Sequence, residues 1–70
     1  MNADDRLAAF EKMLTAVRVN HDQADNKMKQ LKAEGKEKSA TYHQLASSKI
    51  QYRNMLSMYS LYGLIGEDDI

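Results

Sequence analysis

Leu31-Lys32-Ala33-Glu34-Gly35-Lys36-Glu37-Lys38-Ser39-Ala40-Thr41-Tyr42 is the stretch on which the fold turns. Large side chains lead into it at Leu7, Phe10, Leu14, Val17, His21, Met28 and Leu31, and lead out of it at Tyr42, Leu45, Tyr52, Leu56 and Tyr59. Ala24 and Lys49 fill the remaining steps of this alternation of three and four residues. Apolar groups spaced about 3.5 residues apart share one stripe of an α-helix, and that stripe must be buried against another helix. Inside the quoted stretch the two seam positions fall on Gly35 and Lys38. Glycine costs about 1 kcal/mol in a helix interior, and Lys is unfavourable at a coiled-coil core position. The heptad frame never slips, so one long helix in a parallel coiled coil also satisfies the spacing. Two spoiled positions side by side, where a turn would fall, favour an all-α, coiled-coil-like antiparallel hairpin of two helices.

The ends of both helices can be placed from capping chemistry. Asn2 is suited to an N-cap, and Asp4 and Asp5 then sit where negative side chains interact well with the helix dipole. Helix-forming residues continue to about residue 34. Gly35 fits the position just past a helix C-terminus because it tolerates positive φ, with Lys29 and Lys32 complementing the dipole there. After a turn over about 35–39, Ser39 is one acceptable cap for the second helix, and Thr41 with Gln44 forms a capping box that is equally acceptable. The expected helices cover about 3–34 and 40–62 of a single unit. Gly63 and Gly66 then loosen the backbone before an acidic tail over 66–70.

Folding the chain back near residues 36 and 37 sets Leu31 opposite Tyr42, Met28 opposite Leu45, Val17 opposite Leu56 and Leu14 opposite Tyr59. His21 then faces Tyr52, and Phe10 faces Gly63. Lys49 faces Ala24, so its stem can lie over a small residue while the ammonium reaches water. Asp25 with Lys29, and Glu34 with Lys38, have the i,i+4 order that supports an exposed helix face.

Composition bounds what such a hairpin can do. At 70 residues, a single core rarely supplies more than about 3 to 5 kcal/mol without a staple. There is no Cys, so disulfides and thiolate metal sites are excluded and a reducing compartment is compatible. Oligomerisation or a protein partner is the remaining support. Ten Lys and Arg balance ten Asp and Glu, which removes the net field that draws a protein to nucleic acid. The cluster Lys27, Lys29, Lys32, Lys36 and Lys38 is interleaved with Asp25, Glu34 and Glu37 and reads as a solvated face. The start of the chain is polar and acidic, the reverse of a secretory leader. The most apolar run, Met55 to Ile65, falls well short of the ~20 residues a bilayer demands, so a cytoplasmic location is expected with no membrane partner.

Two helices in contact bury one stripe each, and the second helix has apolar residues to spare: Ile50, Met55, Met58, Leu61, Tyr62, Leu64 and Ile65. A helix that is apolar all round is normally covered on more than one side. Flexible thioethers and amphipathic rings are frequent at recognition surfaces, so these residues are the candidate partner interface. The alternatives are that they cover the N-terminal part of helix one or pack in a homodimer, as in a homo-oligomeric coiled-coil structural or adaptor protein. No catalytic, cofactor or metal motif stands out. His21 and Asp25 have helical i,i+4 spacing but no third ligand, His43 is expected to be exposed, and Ser47 and Ser48 lack an organised base. An enzyme is not expected.

The helical hairpin with Gly35 in its turn, Tyr42 at the start of helix two, Leu45, Tyr52, Leu56 and Tyr59 along it, and the dense finish Met58, Tyr59, Leu61 and Tyr62 resembles the small E-type co-chaperones of the type III secretion needle subunit. The resemblance implies a protein that binds a larger helical-repeat chaperone, the G component. Together the pair would keep the needle subunit unpolymerised in the cytoplasm before export. It implies that the E protein stabilises the G chaperone and makes little contact with the needle subunit, and it transfers no interface positions.

Overall fold

The computed structural model describes residues 2–66, so the acidic Glu67, Asp68 and Asp69 lie outside the described residues. Asn2 opens the first helix, its Oδ1 accepting the Asp5 backbone N–H at 2.8 Å. Helix α1 then runs from Ala3 to Ala33 with Asp4 and Asp5 in its first turn and Lys32 in its last, each sign matched to the nearer end of the helix dipole.

Gly35 does stop the helix. It takes φ +73°, while its N–H donates to the Lys32 carbonyl at 3.0 Å and the Lys36 N–H reaches the Leu31 carbonyl at 2.8 Å. These crossed bonds form a Schellman motif, which satisfies carbonyls a helix end otherwise leaves open. The restart uses Ser39 rather than the Thr41 and Gln44 box. The Ser39 hydroxyl donates to the Lys36 carbonyl at 2.8 Å and accepts the Tyr42 N–H at 3.1 Å, so one side chain joins the turn to α2, Ala40–Leu61. Glu34 is thus already a cap residue, and the expected helical pairing with Lys38 gives way to a contact with Lys36 at 3.5 Å.

No atom lies within 4 Å of a Cβ built on Gly35, so Gly35→Ala meets no steric neighbour and tests the backbone alone. It should destabilise the hairpin by about 1 to 2 kcal/mol, the penalty of left-handed geometry for an L residue, and a urea melt followed by circular dichroism measures it.

The two helices pack antiparallel as an all-α hairpin. Its extents of 49 × 22 × 15 Å describe a single layer, one helix long and one helix thick. Each seam residue therefore has one helix to pack against, and among the described residues full burial is confined to Val17, Ala24 and Leu56. Phe10, Leu14, His21, Met28 and Leu31 are half-buried, as are Tyr42, Leu45, Tyr52 and Tyr59.

The seam thins at the open end. Leu7, expected within it, is 57% exposed, because α2 stops at Leu61 and leaves the start of α1 unaccompanied. Phe10, expected opposite Gly63, instead sets its ring edge-on to Tyr59 at a centroid distance of 5.2 Å. Such a pair is worth about 0.5 to 1.5 kcal/mol beyond area burial, whereas Gly63 offers no side chain. The Tyr59 hydroxyl continues to the Met13 Sδ at 3.8 Å.

One cluster of charge ties the helices midway. Lys49, expected to end in water, instead donates from its ammonium to Asp25 Oδ1 at 2.6 Å, while Lys29 holds Oδ2 at 2.9 Å. Hydrogen bonds from Lys49 and then Lys29 lower the Asp25 carboxyl from 3.8 to about 2. Because the folded value is depressed, the stabilisation is present above the unfolded value and disappears as pH falls through the folded one. Stability should therefore drop between about pH 3.8 and about 2, and Asp25→Asn should flatten that part of the profile in urea melts repeated across pH.

Candidate partner interface

From Ser39 to Gly66 the only charged residues are Lys49 and Arg53, so helix two meets solvent with few charges. Its C-terminal half carries the apolar excess. Met55, Met58, Leu61, Tyr62 and Leu64 are all exposed, Leu61 at 77% and Tyr62 at 73%. Ile65, by contrast, is half-buried.

The end of α2 is built, not frayed. Gly63 takes φ +74°, its N–H donates to the Ser60 carbonyl at 3.0 Å, and the Leu64 N–H reaches the Tyr59 carbonyl at 2.9 Å. This second Schellman motif turns the chain sharply after Tyr62 and fixes Leu64 beside the last turn. The glycine expected to loosen the backbone here sets a defined stop.

Helical spacing divides the candidate residues. Met55, Met58 and Tyr62, at i, i+3 and i+7, share one stripe of α2, while Ile50 and Leu61 lie on its other flank. On the Met58 side a shallow groove runs between the helices, lined by Asn20, Gln23 and Lys27 of α1 and by Ser48 and Tyr52 of α2. The Ile50 side carries a second, more apolar groove, lined by Met28, Ala46, Lys49, Ile50 and Arg53. The seven residues thus do not form one patch: those from Met55 onward lie around the end of the rod, while Ile50 sits near the middle of α2. On α1 the exposed Leu7 and Met13 extend the apolar surface at that end, and Val19 is exposed further along. Met13 escaped the seam reading because it stands one residue before Leu14, and its heptad neighbours on that stripe are the small Ala9 and Ala16.

His21 is half-buried with Nδ1 3.2 Å from Asp22 Oδ1, and Asp25, its partner by spacing, is held by the two lysines. No group of three or more His, Asp or Glu side chains placed to hold a metal occurs among the described residues. None of the described helices is long and apolar enough to cross a membrane.

Comparison of the chain with protein-family models, with curated proteins and with solved structures gives no match.

Proposed function

We propose that this chain is a non-enzymatic, protein-binding hairpin that covers an unprotected helical surface on a larger partner. The observation that carries this reading is the exposure of Met55, Met58, Leu61, Tyr62 and Leu64 at one end of a hairpin in which three of the described residues are fully buried. A single-layer pair of helices has nothing of its own with which to bury them.

The resemblance to E-type co-chaperones supplies the partner. A helical-repeat chaperone, the G component, leaves its terminal repeat without a neighbour, and such an end requires a cap for solubility. The outer face of the hairpin replaces the missing repeat. Through that chaperone the hairpin helps to keep a needle subunit unpolymerised in the cytoplasm, where self-assembling helical surfaces would otherwise aggregate.

Co-expression tests the reading. The helical-repeat chaperone from the same operon should accumulate in soluble, protease-resistant form only alongside this protein. Equal solubility and stability without it would refute the proposal.

A further inference from the structure

The helix faces conceal a second heptad stripe. On α2, Gln44, Ser48, Gln51, Met55, Met58 and Tyr62 follow one another at steps of four and three, and none is charged. The groove between Ser48 and Gln23 shows which side of α1 lies beside it. There Ala9, Met13, Ala16, Asn20 and Gln23 repeat the same steps, also uncharged, between Asp5 at one end and Lys27 at the other, with Lys12 on the outer edge. The opposite side of the hairpin carries Glu11, Arg18, Asp22, Lys29 and Arg53.

This uncharged side is self-complementary. Asn20 and Tyr52 line one groove and the Tyr59 hydroxyl reaches the Met13 Sδ, a register that puts Ala16 about level with the centre of the Met55 to Met58 step. A two-fold axis at that level, perpendicular to the helices, lays α1 on α1 and α2 on α2 of a second copy, antiparallel. Ala16 then meets its own copy, where a small residue permits close approach, Met55 meets Met58, and Tyr62 meets Gln51. In the same arrangement Asp5 falls opposite Lys27 of the second copy at both ends. A parallel pairing would instead crowd Lys27, Lys29, Lys32, Lys36 and Lys38 of both turns together. With a face 22 Å wide overlapping over most of 49 Å, each copy contributes about 800 Å², the size of a standard stable interface.

We propose that, without another partner, two copies of this chain form an antiparallel four-helix dimer through this uncharged side, on a two-fold axis at Ala16, with Asp5 and Lys27 setting the register. The dimer stands independently of the co-chaperone reading. If both hold, the Met55, Met58 and Tyr62 stripe is shared, and the partner chaperone competes with self-association.

The chain has no Cys, so disulfide trapping of the full-length protein reads the axis directly. Under mild oxidation Ala16→Cys should convert almost wholly to a covalent dimer, while Ser57→Cys, exposed on the other flank, should cross-link at less than about a tenth of that rate. In sedimentation equilibrium the unmodified chain should dimerise, and Asp5→Lys should weaken the dimer by roughly threefold to tenfold. The double reversal Asp5→Lys with Lys27→Asp should restore it. Circular dichroism checks that each variant keeps its helices. A chain that stays monomeric at every concentration, equal cross-linking of the two cysteine variants, or no rescue by the double reversal would overturn the proposal.

Discussion

Leu56→Asp is expected to unfold the isolated hairpin, seen as collapse of the far-ultraviolet circular dichroism signal at neutral pH. Leu56 is the most completely buried side chain described, at 3% exposure, and it shares full burial only with Val17 and Ala24. The seam lysine, Lys49, is already held by Asp25 at 2.6 Å, so a carboxylate placed at Leu56 is buried without a free partner, which costs several kcal/mol or more unless the structure opens. Even the milder Leu56→Ala removes about 2 to 5 kcal/mol by cavity formation, comparable with the whole stability of about 3 to 5 kcal/mol available to a core of this size. Leu7→Asp is the informative control. Leu7 belongs to the same heptad frame but is 57% exposed, so that variant should keep its helical signal and its urea midpoint.

Met58→Asp or Leu61→Asp should have the opposite signature. Both side chains are more than half exposed, so the isolated chain should stay helical, while affinity for the helical-repeat chaperone falls by about thirtyfold or more, the usual consequence of losing a hot-spot contact of about 2 kcal/mol. Titration of the purified pair by calorimetry measures it. The two substitutions also separate the faces of α2. Loss through Met58 alone places the partner on the uncharged side, loss through Leu61 alone places it on the Ile50 flank, and loss through both means that the partner encircles the rod end. Helicity lost as severely as in Leu56→Asp would remove the distinction between seam and surface altogether.

Much of the fold was legible because the signals at Gly35 and its neighbours agree. A heptad frame alone fits a long helix and a hairpin equally, and the choice rests on Gly35 and Lys38 occupying consecutive seam positions. What the sequence left open was the restart, since Ser39 and Thr41 are both good caps, and only the turn geometry brings the Ser39 hydroxyl within reach of the Lys36 carbonyl. Leu7 keeps the heptad spacing yet lies exposed, because periodicity says which face a residue occupies and not whether a neighbouring helix still extends alongside it. The hairpin register puts Lys49 opposite Ala24 and so near Asp25, but register alone does not decide whether an ammonium at the seam edge turns to water or to that carboxylate, and the structure has it on Asp25 Oδ1. At the candidate interface, apolar excess was easy to see in Met55 to Ile65. Its division into two flanks was not, nor was the uncharged stripe, because a search for large side chains passes over Ala9, Ala16, Ser48 and Gln51.

The turn between Ala33 and Ala40 also dictates the order in which the hairpin zips. Closing a short loop costs little entropy, so Leu31 and Tyr42 can meet early, and each later contact is made cheap by the one before it. Nucleation at the Gly35 and Ser39 caps and propagation away from them leave Phe10 and Tyr59 as the last teeth to engage and the first to release. The apolar surface at Met58, Leu61 and Tyr62 therefore sits at the end of the hairpin farthest from the turn, where the packing should open first. A binder that clamps this end gains contact area and at the same time holds α1 against α2 where the pair should part first, so recognition and completion of the packing become a single event.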